Sequence, residues 1–145
     1  MFGRIVYISD NMAHVEVPKT TETFVNLMNR HVVFEDEDKR ILGEVEDISA
    51  DIMKIRFLGE ITDTRFIGGV LRKPNLTAKT RLINANELNI IMGGAKEGTF
   101  MLGVSPLYDE REINIDINDV CSNHMAIFGN TGSGKSYGVA RFIQS

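Results

Sequence analysis

The sequence predicts a mainly β fold, with a small β-barrel over residues 1–105 and the beginning of an α/β domain over residues 106–145. Two observations carry this prediction. Through the first range, side chains in short runs alternate between two faces, which is the period-two pattern of half-buried antiparallel strands. After Pro106, a polar linker leads to one more alternating strand, a short apolar run and a glycine-rich loop, an order typical of an α/β unit.

Five to seven short strands are predicted before the linker, and turn-forming residues such as Asp10-Asn11 and Glu37-Asp38-Lys39 separate them. They are expected at residues 5–8, 13–17, 31–35, 41–48, 53–57, 66–71 and 100–104. So many short strands in this region favour a small closed or sandwich-like domain over an open sheet. A barrel is the preferred form, because closing the sheet removes its exposed edges.

Two helical segments are expected among these strands. Asn84 and Glu87 have the spacing of a capping box, in which each residue accepts a hydrogen bond from the backbone of the other. This pair predicts a short helix over residues 85–92 that ends at Gly93-Gly94. Apolar residues at helical spacing also predict a helical turn within residues 23–30.

Charge is distributed unevenly along the chain. The net charge of −4 argues against an overall basic nucleic-acid binder, although a local basic surface is compatible with it. The acidic run at residues 35–38 is interpreted as a solvated hairpin tip. Residues 64–86 contain no acid and are a candidate surface for DNA or a partner protein, with a solvated strand face as the alternative. The cations of this basic stretch are Arg65, Arg72, Lys73, Lys79 and Arg81.

Cysteine content and hydropathy bear on the cellular compartment. The single cysteine, Cys121, excludes an internal disulfide and fits a reducing cytoplasm. No His or Cys lies near it at metal-ligand spacing, so a small buried side chain is expected. The N-terminus has no secretory leader, and no run approaches about 18 apolar residues. The sequence therefore predicts a soluble, cytoplasmic protein without a membrane partner.

Residues 129–136 match the phosphate-binding pattern G-x-x-x-x-G-K-[ST] at every constrained position. The predicted nucleotide-binding residues are Gly129, Asn130, Thr131, Gly132, Ser133, Gly134, Lys135 and Ser136. Glycines allow backbone conformations in which successive N–H groups cradle the α- and β-phosphates. Lys135 is expected to reach the β- and γ-phosphates, and the Ser136 hydroxyl to ligate Mg²⁺. The pattern predicts a Mg-nucleotide site; the alternative is a structural glycine turn without a ligand.

The residues around this loop fit the same motif. Residues 113–117 alternate as one more strand, and the apolar run at 125–128 is predicted to be a buried parallel strand that leads into the loop. A helix is predicted from about Lys135, and the dipole at its N-terminus favours bound phosphate. Because the chain stops at Ser145 in mid-helix without a stop signal, truncation from a longer protein is expected.

The run over residues 123–136, Asn-His-Met-Ala-Ile-Phe-Gly-Asn-Thr-Gly-Ser-Gly-Lys-Ser, resembles the HerA group of the HerA/FtsK superfamily of P-loop ATPases. Its Thr-Gly-Ser-Gly-Lys-Ser core after an apolar strand is typical of that group. The β-rich region before it resembles the group's HAS barrel, which is named for its likeness to the N-terminal barrel of ATP synthase subunits. The resemblance implies that a RecA-like α/β ATPase domain begins near residue 106.

The resemblance also implies a function. The full-length protein is expected to be a hexameric, ring-forming DNA translocase or helicase that uses ATP and Mg²⁺ and often works with a nuclease. Only the Walker A positions carry over, onto residues 129–136. The family's Mg²⁺-binding acid, catalytic Glu and arginine finger have no counterpart in this sequence. The catalytic residues therefore stay unassigned, and the 145-residue chain is expected to be inactive by itself.

Two other functions stay open. In the first, the barrel is a protein-interaction or assembly module, and these residues carry no activity. In the second, the chain belongs to a rotary-type or secretion ATPase with a similar N-terminal barrel. An apolar strand that ends in Asp-Glu, together with a downstream Arg, would distinguish a translocase from a binding module.

Overall fold

The computed structural model describes residues 2–17 and 27–144. The chain divides into two compact units, Met1–Ile91 and Met92–Ser145. Strands dominate the described residues, so the prediction of a mainly β fold is confirmed. None of the helices in these residues combines the length and the apolar character that a membrane span requires.

In the described part of the first unit, seven antiparallel strands form one sheet. They are β1 (Ile5–Ile8), β2 (Met12–Glu16), β3 (His31–Asp36), β4 (Lys39–Ser49), β5 (Ile52–Ile61), β6 (Phe66–Gly68) and β7 (Lys79–Leu82). Their order across the sheet is β1-β2-β5-β4-β3-β7, and β6 pairs with β5 beside this path. The turn between β3 and β4 lies at residues 37–38, so the acidic run does form a hairpin tip.

The sheet curls into a half-barrel. Irregular register in the β1–β2 and β4–β5 pairs increases the local twist and bends these strands. The edges of the sheet meet where the Phe2 N–H, just before β1, donates to the carbonyl oxygen of Thr80 in β7 at 2.9 Å. Within the described residues, the β1 and β7 edges are joined by this one backbone hydrogen bond and do not pair as neighbouring strands. The sheet is therefore a half-barrel and not the closed barrel that was predicted.

Alternation along the strands places one face of each strand in the core. In β5, Met53 and Ile55 are buried, and Lys54 between them is only partly buried. Phe34 of β3 and Phe57 of β5 pack edge to face, with ring centroids 5.4 Å apart. Each fully buried apolar side chain of this kind stabilises the fold by about 1.5–3 kcal/mol. Other core residues with no exposed surface are Ala13, Val15, Val32, Ile41 and Val45.

Helix α1 (Ala85–Met92) begins with the predicted capping box. The Glu87 N–H donates to Asn84 Oδ1 at 2.9 Å, and the Asn84 N–H donates to Glu87 Oε2 at 3.1 Å. Gly93 follows the last turn with a φ of +70°, which glycine adopts without the steric cost of a Cβ. The predicted beginning and end of this helix are confirmed.

The second unit combines a β-hairpin with two helices. Its elements are β8 (Thr99–Ser105), β9 (Arg111–Asp116), α2 (Ile117–Cys121) and α3 (Lys135–Gln144). β8 and β9 pair with each other in a two-stranded antiparallel sheet. Asp116 caps α2, because its Oδ1 accepts a hydrogen bond from the Asn118 N–H at 2.9 Å. Phe142 of α3 packs edge to face on Phe100 of β8, with centroids 4.9 Å apart, so an apolar contact joins the helix to the hairpin.

The prediction of a buried strand at residues 125–128 is wrong for this structure. These residues have no regular secondary structure, and the side chain of Phe128 is 91% exposed. A strand forms only when a neighbouring strand pairs with its N–H and C=O groups, and no described strand lies beside this run. The helix predicted from Lys135 forms all the same, because its hydrogen bonds are local.

Two smaller predictions also need correction, and a third falls mainly on residues that the structure does not describe. β6 is shorter than the predicted strand at 66–71, because Gly69, with a φ of +84°, turns the chain. Cys121 is exposed rather than buried, since the short α2 buries none of its residues. The helical turn predicted within residues 23–30 lies mainly outside the described residues, and its described end, 27–30, is a non-helical turn.

Candidate phosphate-binding site

The eight predicted nucleotide-binding residues are consecutive, and they form a tight loop that enters α3. Residues 129–134 make the loop, and Lys135 is the first residue of the helix. Gly132 and Gly134 both have a φ of +82°, a left-handed conformation that costs a residue with a Cβ about 1–2 kcal/mol. These two glycines therefore allow the backbone path that the motif requires.

The loop leaves a row of backbone N–H groups without acceptors at the start of α3. The first helical hydrogen bond runs from the Gly138 N–H to the Gly134 carbonyl oxygen at 2.9 Å. Before it, the Ser133 N–H donates to the Asn130 carbonyl oxygen at 3.1 Å. Between these two bonds, the N–H groups of residues 134–137 donate to no acceptor in the described part of the chain. Such groups at a helix N-terminus carry partial positive charge, so this row suits a phosphate.

Lys135 is held within the same loop. Its Nζ donates to the carbonyl oxygens of Gly129 and Asn130, both at 2.6 Å. A Cβ on Gly129 would lie 2.5 Å from Ser133 Oγ and 3.2 Å from Lys135 Cγ, so a larger residue there would displace these two side chains. The loop thus combines an ammonium group with a row of free N–H donors.

The Ser136 side chain is exposed on the first turn of α3. Across residues 2–17 and 27–144, no three His, Cys, Asp or Glu side chains cluster in a way that could hold a metal ion. Mg²⁺ usually keeps several waters and takes only one or two protein ligands beside substrate phosphates. The donor set here therefore fits a metal ion that arrives with a nucleotide, with the Ser136 hydroxyl as its protein ligand.

The basic stretch lies in the first unit, where acidic side chains pair with two of its five cations, Lys73 and Arg81. Lys73 Nζ lies 2.7 Å from Asp10 Oδ1. Arg81 donates to Glu35 and to both carboxylate oxygens of Glu87. The remaining cations are exposed and form no ion pair with the residues that the structure describes. They are Arg65, Arg72 and Lys79.

Glu87 is the feature of the first unit that sequence reasoning missed, beyond its capping role. Its side chain is 1% exposed and accepts 2.8 Å hydrogen bonds from Arg81 Nη1 and Nη2, with Arg40 Nη1 3.6 Å away. Burial by itself raises the pKa of Glu87, but hydrogen bonds from Arg81 and the Asn84 N–H outweigh it and hold the pKa below its ordinary value. Hydrogen bonding to Glu87 raises the pKa of Arg81 in turn. The group is a charged structural cluster.

A comparison with protein families bears on the loop and on α3. Residues 101–145 match the family model described as "Helicase HerA, central domain". This part of the chain is therefore similar to the central domain of the HerA-like P-loop ATPases. The whole candidate loop lies inside the matched range, so the resemblance inferred from residues 123–136 is confirmed at the level of the family. Similarity to the HerA-like ATPases supports a nucleotide as the ligand of this loop.

A curated protein also shares a short segment with this chain. Over 34 residues the chain is 53% identical to the uncharacterized protein aq_aa31 of Aquifex aeolicus (strain VF5). The shared segment covers 23% of this chain and 13% of that protein. The similarity is therefore local, and it says nothing about the activity of either whole protein.

Proposed function

We propose that this chain is the N-terminal part of an ATP-dependent, ring-forming DNA translocase or helicase of HerA type, in which residues 129–136 bind the phosphates of ATP. The observation that supports the binding site most strongly is the row of free N–H groups at residues 134–137. The Lys135 ammonium lies in the same loop. A triphosphate has the charge and the length to use the donors and the cation together.

Each group has one task in the proposed site. The N–H groups donate to oxygens of the α- and β-phosphates, and Lys135 donates to the β- and γ-phosphates. Ser136 ligates Mg²⁺, which supplies charge neutralisation at the phosphates when it is bound. The family's catalytic acid, catalytic Glu and arginine finger have no counterpart in residues 1–145. We therefore propose that these residues bind ATP without hydrolysing it by themselves.

The wider assembly is part of the same proposal. The proposed barrel domain corresponds to the first unit, Met1–Ile91, and the beginning of the ATPase domain lies in the second unit. The predicted boundary at residue 105 is too late, because among the described strands β8 pairs with β9 of the second unit and not with the first sheet. The full-length protein forms a hexamer in the cytoplasm, acts on DNA and works with a nuclease. The support for these features is the family match over residues 101–145.

Isothermal titration calorimetry with Mg-ATP tests the binding site. A hydrogen bond to a charged group is worth about 1.5–3 kcal/mol, so Lys135→Ala should weaken ATP binding about ten- to hundredfold. Lys96→Ala is the matched control, because Lys96 is an exposed lysine of the same unit that lies 3.9 Å from Asp116. The control should bind ATP as the wild type does. Equal affinities of the wild type and Lys135→Ala would show that the loop is only a structural turn.

The assembly-module alternative is favoured by one observation, the neutralisation of Arg81 and Lys73 by neighbouring acids. DNA affinity depends on released counterions, and paired cations release fewer of them. If the first unit binds DNA through the three cations of the basic stretch that form no ion pair with described residues, replacing all three with Ala should abolish the binding measured at low salt. If the wild-type chain shows no binding at low salt, the barrel acts on a protein instead. These three cations are Arg65, Arg72 and Lys79.

A further inference from the structure

Tyr137 carries the last N–H of the free row, together with an aromatic ring that the fold does not use. It is the third residue of α3, and its side chain is 73% exposed. The ring makes no hydrogen bond and no ring contact with the described residues. A tyrosine contributes less to helix formation than alanine or leucine, so its presence on this first turn has no local structural explanation. The ring is available to a ligand that binds at the loop.

The motif indicates how a bound nucleotide is oriented along the N–H groups of residues 134–137. Lys135 marks the end that holds the β- and γ-phosphates, because the motif lysine reaches those two groups. In the proposed site, the N–H groups that follow Lys135, up to that of Tyr137, are left to donate to the α-phosphate. The ribose is bonded directly to the α-phosphate. The nucleoside therefore begins at the residue that carries the exposed ring.

We propose that Tyr137 contacts the ribose and base of the bound nucleotide, so that the site prefers a nucleoside triphosphate over inorganic triphosphate. This inference rests on the phosphate site proposed above. Stacking on an aromatic side chain accepts any base, because every base has a π-face. Tyr137 therefore strengthens nucleotide binding without selecting among bases.

Calorimetry on the 145-residue chain with two ligands, Mg-ATP and Mg-tripolyphosphate, tests the contact. Tyr137→Ala should weaken ATP binding about five- to hundredfold, the range found when one aromatic–base stack is removed. It should leave the affinity for tripolyphosphate unchanged, and Tyr137→Phe should keep the ATP affinity. Ile143→Ala is the matched control, because Ile143 is 76% exposed on the same helix and lies two turns from the loop. An equal loss for both ligands, or no loss for ATP, overturns the proposal.

A fluorescent reporter gives a second readout. The chain has no tryptophan, so Tyr137→Trp introduces a single indole. ATP should change the emission of this indole, whereas tripolyphosphate should leave it unchanged. The indole of Ile143→Trp should respond to neither ligand. Identical responses of the Tyr137→Trp indole to both ligands would contradict a contact with the nucleoside.

The two proposals fail in different ways. If the wild-type chain binds neither ATP nor tripolyphosphate, the phosphate site is wrong, and the role of Tyr137 falls with it. If Lys135→Ala weakens the binding of both ligands while Tyr137→Ala changes neither, the phosphate site stands and the inference about Tyr137 alone is wrong.

Discussion

The buried carboxylate of Glu87 provides the sharpest test of how the first unit is stabilised. Glu87→Gln keeps the size of the side chain and removes its charge. The amide group of glutamine then places an NH₂ where a carboxylate oxygen accepted a 2.8 Å hydrogen bond from Arg81. A donor meets a donor, so one of the two hydrogen bonds is lost and the other loses its assistance from charge.

The loss of stability expected for Glu87→Gln depends on how deeply the ion pair is buried and on which partners Arg81 keeps. Removing one member of a fully buried ion pair costs about 3–5 kcal/mol. Arg81 is 27% exposed and keeps its hydrogen bond to Glu35, so water and a second acid offset part of that penalty. We expect Glu87→Gln to lower the free energy of unfolding by about 2–3 kcal/mol, which is a large share of the roughly 5–15 kcal/mol of a typical domain.

Urea unfolding followed by far-UV circular dichroism measures this loss. With an m-value of about 2 kcal/mol/M, the midpoint should fall by about 1–1.5 M. Asp63→Asn is the matched control, because Asp63 contacts Arg40 of the same cluster at 2.5 Å but is 95% exposed. An exposed pair is worth about 0–1 kcal/mol, so the control midpoint should barely move. Equal shifts for the two variants would refute the argument that burial makes the interaction of Glu87 with Arg81 more stabilising than an exposed ion pair.

Two further predictions concern the first unit. Gly59→Ala should destabilise it by about 1–3 kcal/mol in urea unfolding, because a Cβ there overlaps the carbonyl oxygen of Ile67. Gly68 is the residue paired with Gly59, and a Cβ there meets open space, so Gly68→Ala should cost under about 1 kcal/mol. Similar losses for both would contradict the steric reason. Burial lowers the pKa of His31 below its ordinary value of 6.5, while the charge of Glu44 acts in the opposite direction. The unfolded chain therefore takes up the proton first, so stability should decline as the pH falls below about 6.5, and His31→Gln should remove that part of the decline in urea midpoints.

Predictions from the sequence succeed here where the interactions are local. The capping box of α1 joins residues three positions apart, and the helical hydrogen bonds of α3 join residues four apart, so both elements could be read from neighbouring residues. The glycine-rich loop that enters α3 also forms where its eight consecutive residues predict it, while its binding of phosphate stays a prediction. Strand alternation in β5 is likewise a short-range pattern that shows which side chains face the core.

The predictions that failed depend on distant partners. The run at 125–128 has the composition of a buried strand, but its backbone groups need a paired neighbour, and no described strand supplies one. The 100–104 strand was grouped with the barrel by its pattern, and it pairs with β9 in the second unit. The residue pattern of a strand indicates that it pairs, but it does not identify its partner strand.

By itself, the sequence determined the glycine-rich loop at residues 129–134, the helix that follows it and the alternation that makes the first unit a β domain. These features depend on backbone preferences and on contacts within a few residues. Only the tertiary structure decided that the sheet is a half-barrel whose edges meet at Phe2 and Thr80, and that Arg40 and Arg81 converge on Glu87. The physical reason is that burial and charge pairing depend on which distant segments fold together, and that information is spread over the whole chain rather than held in any one motif.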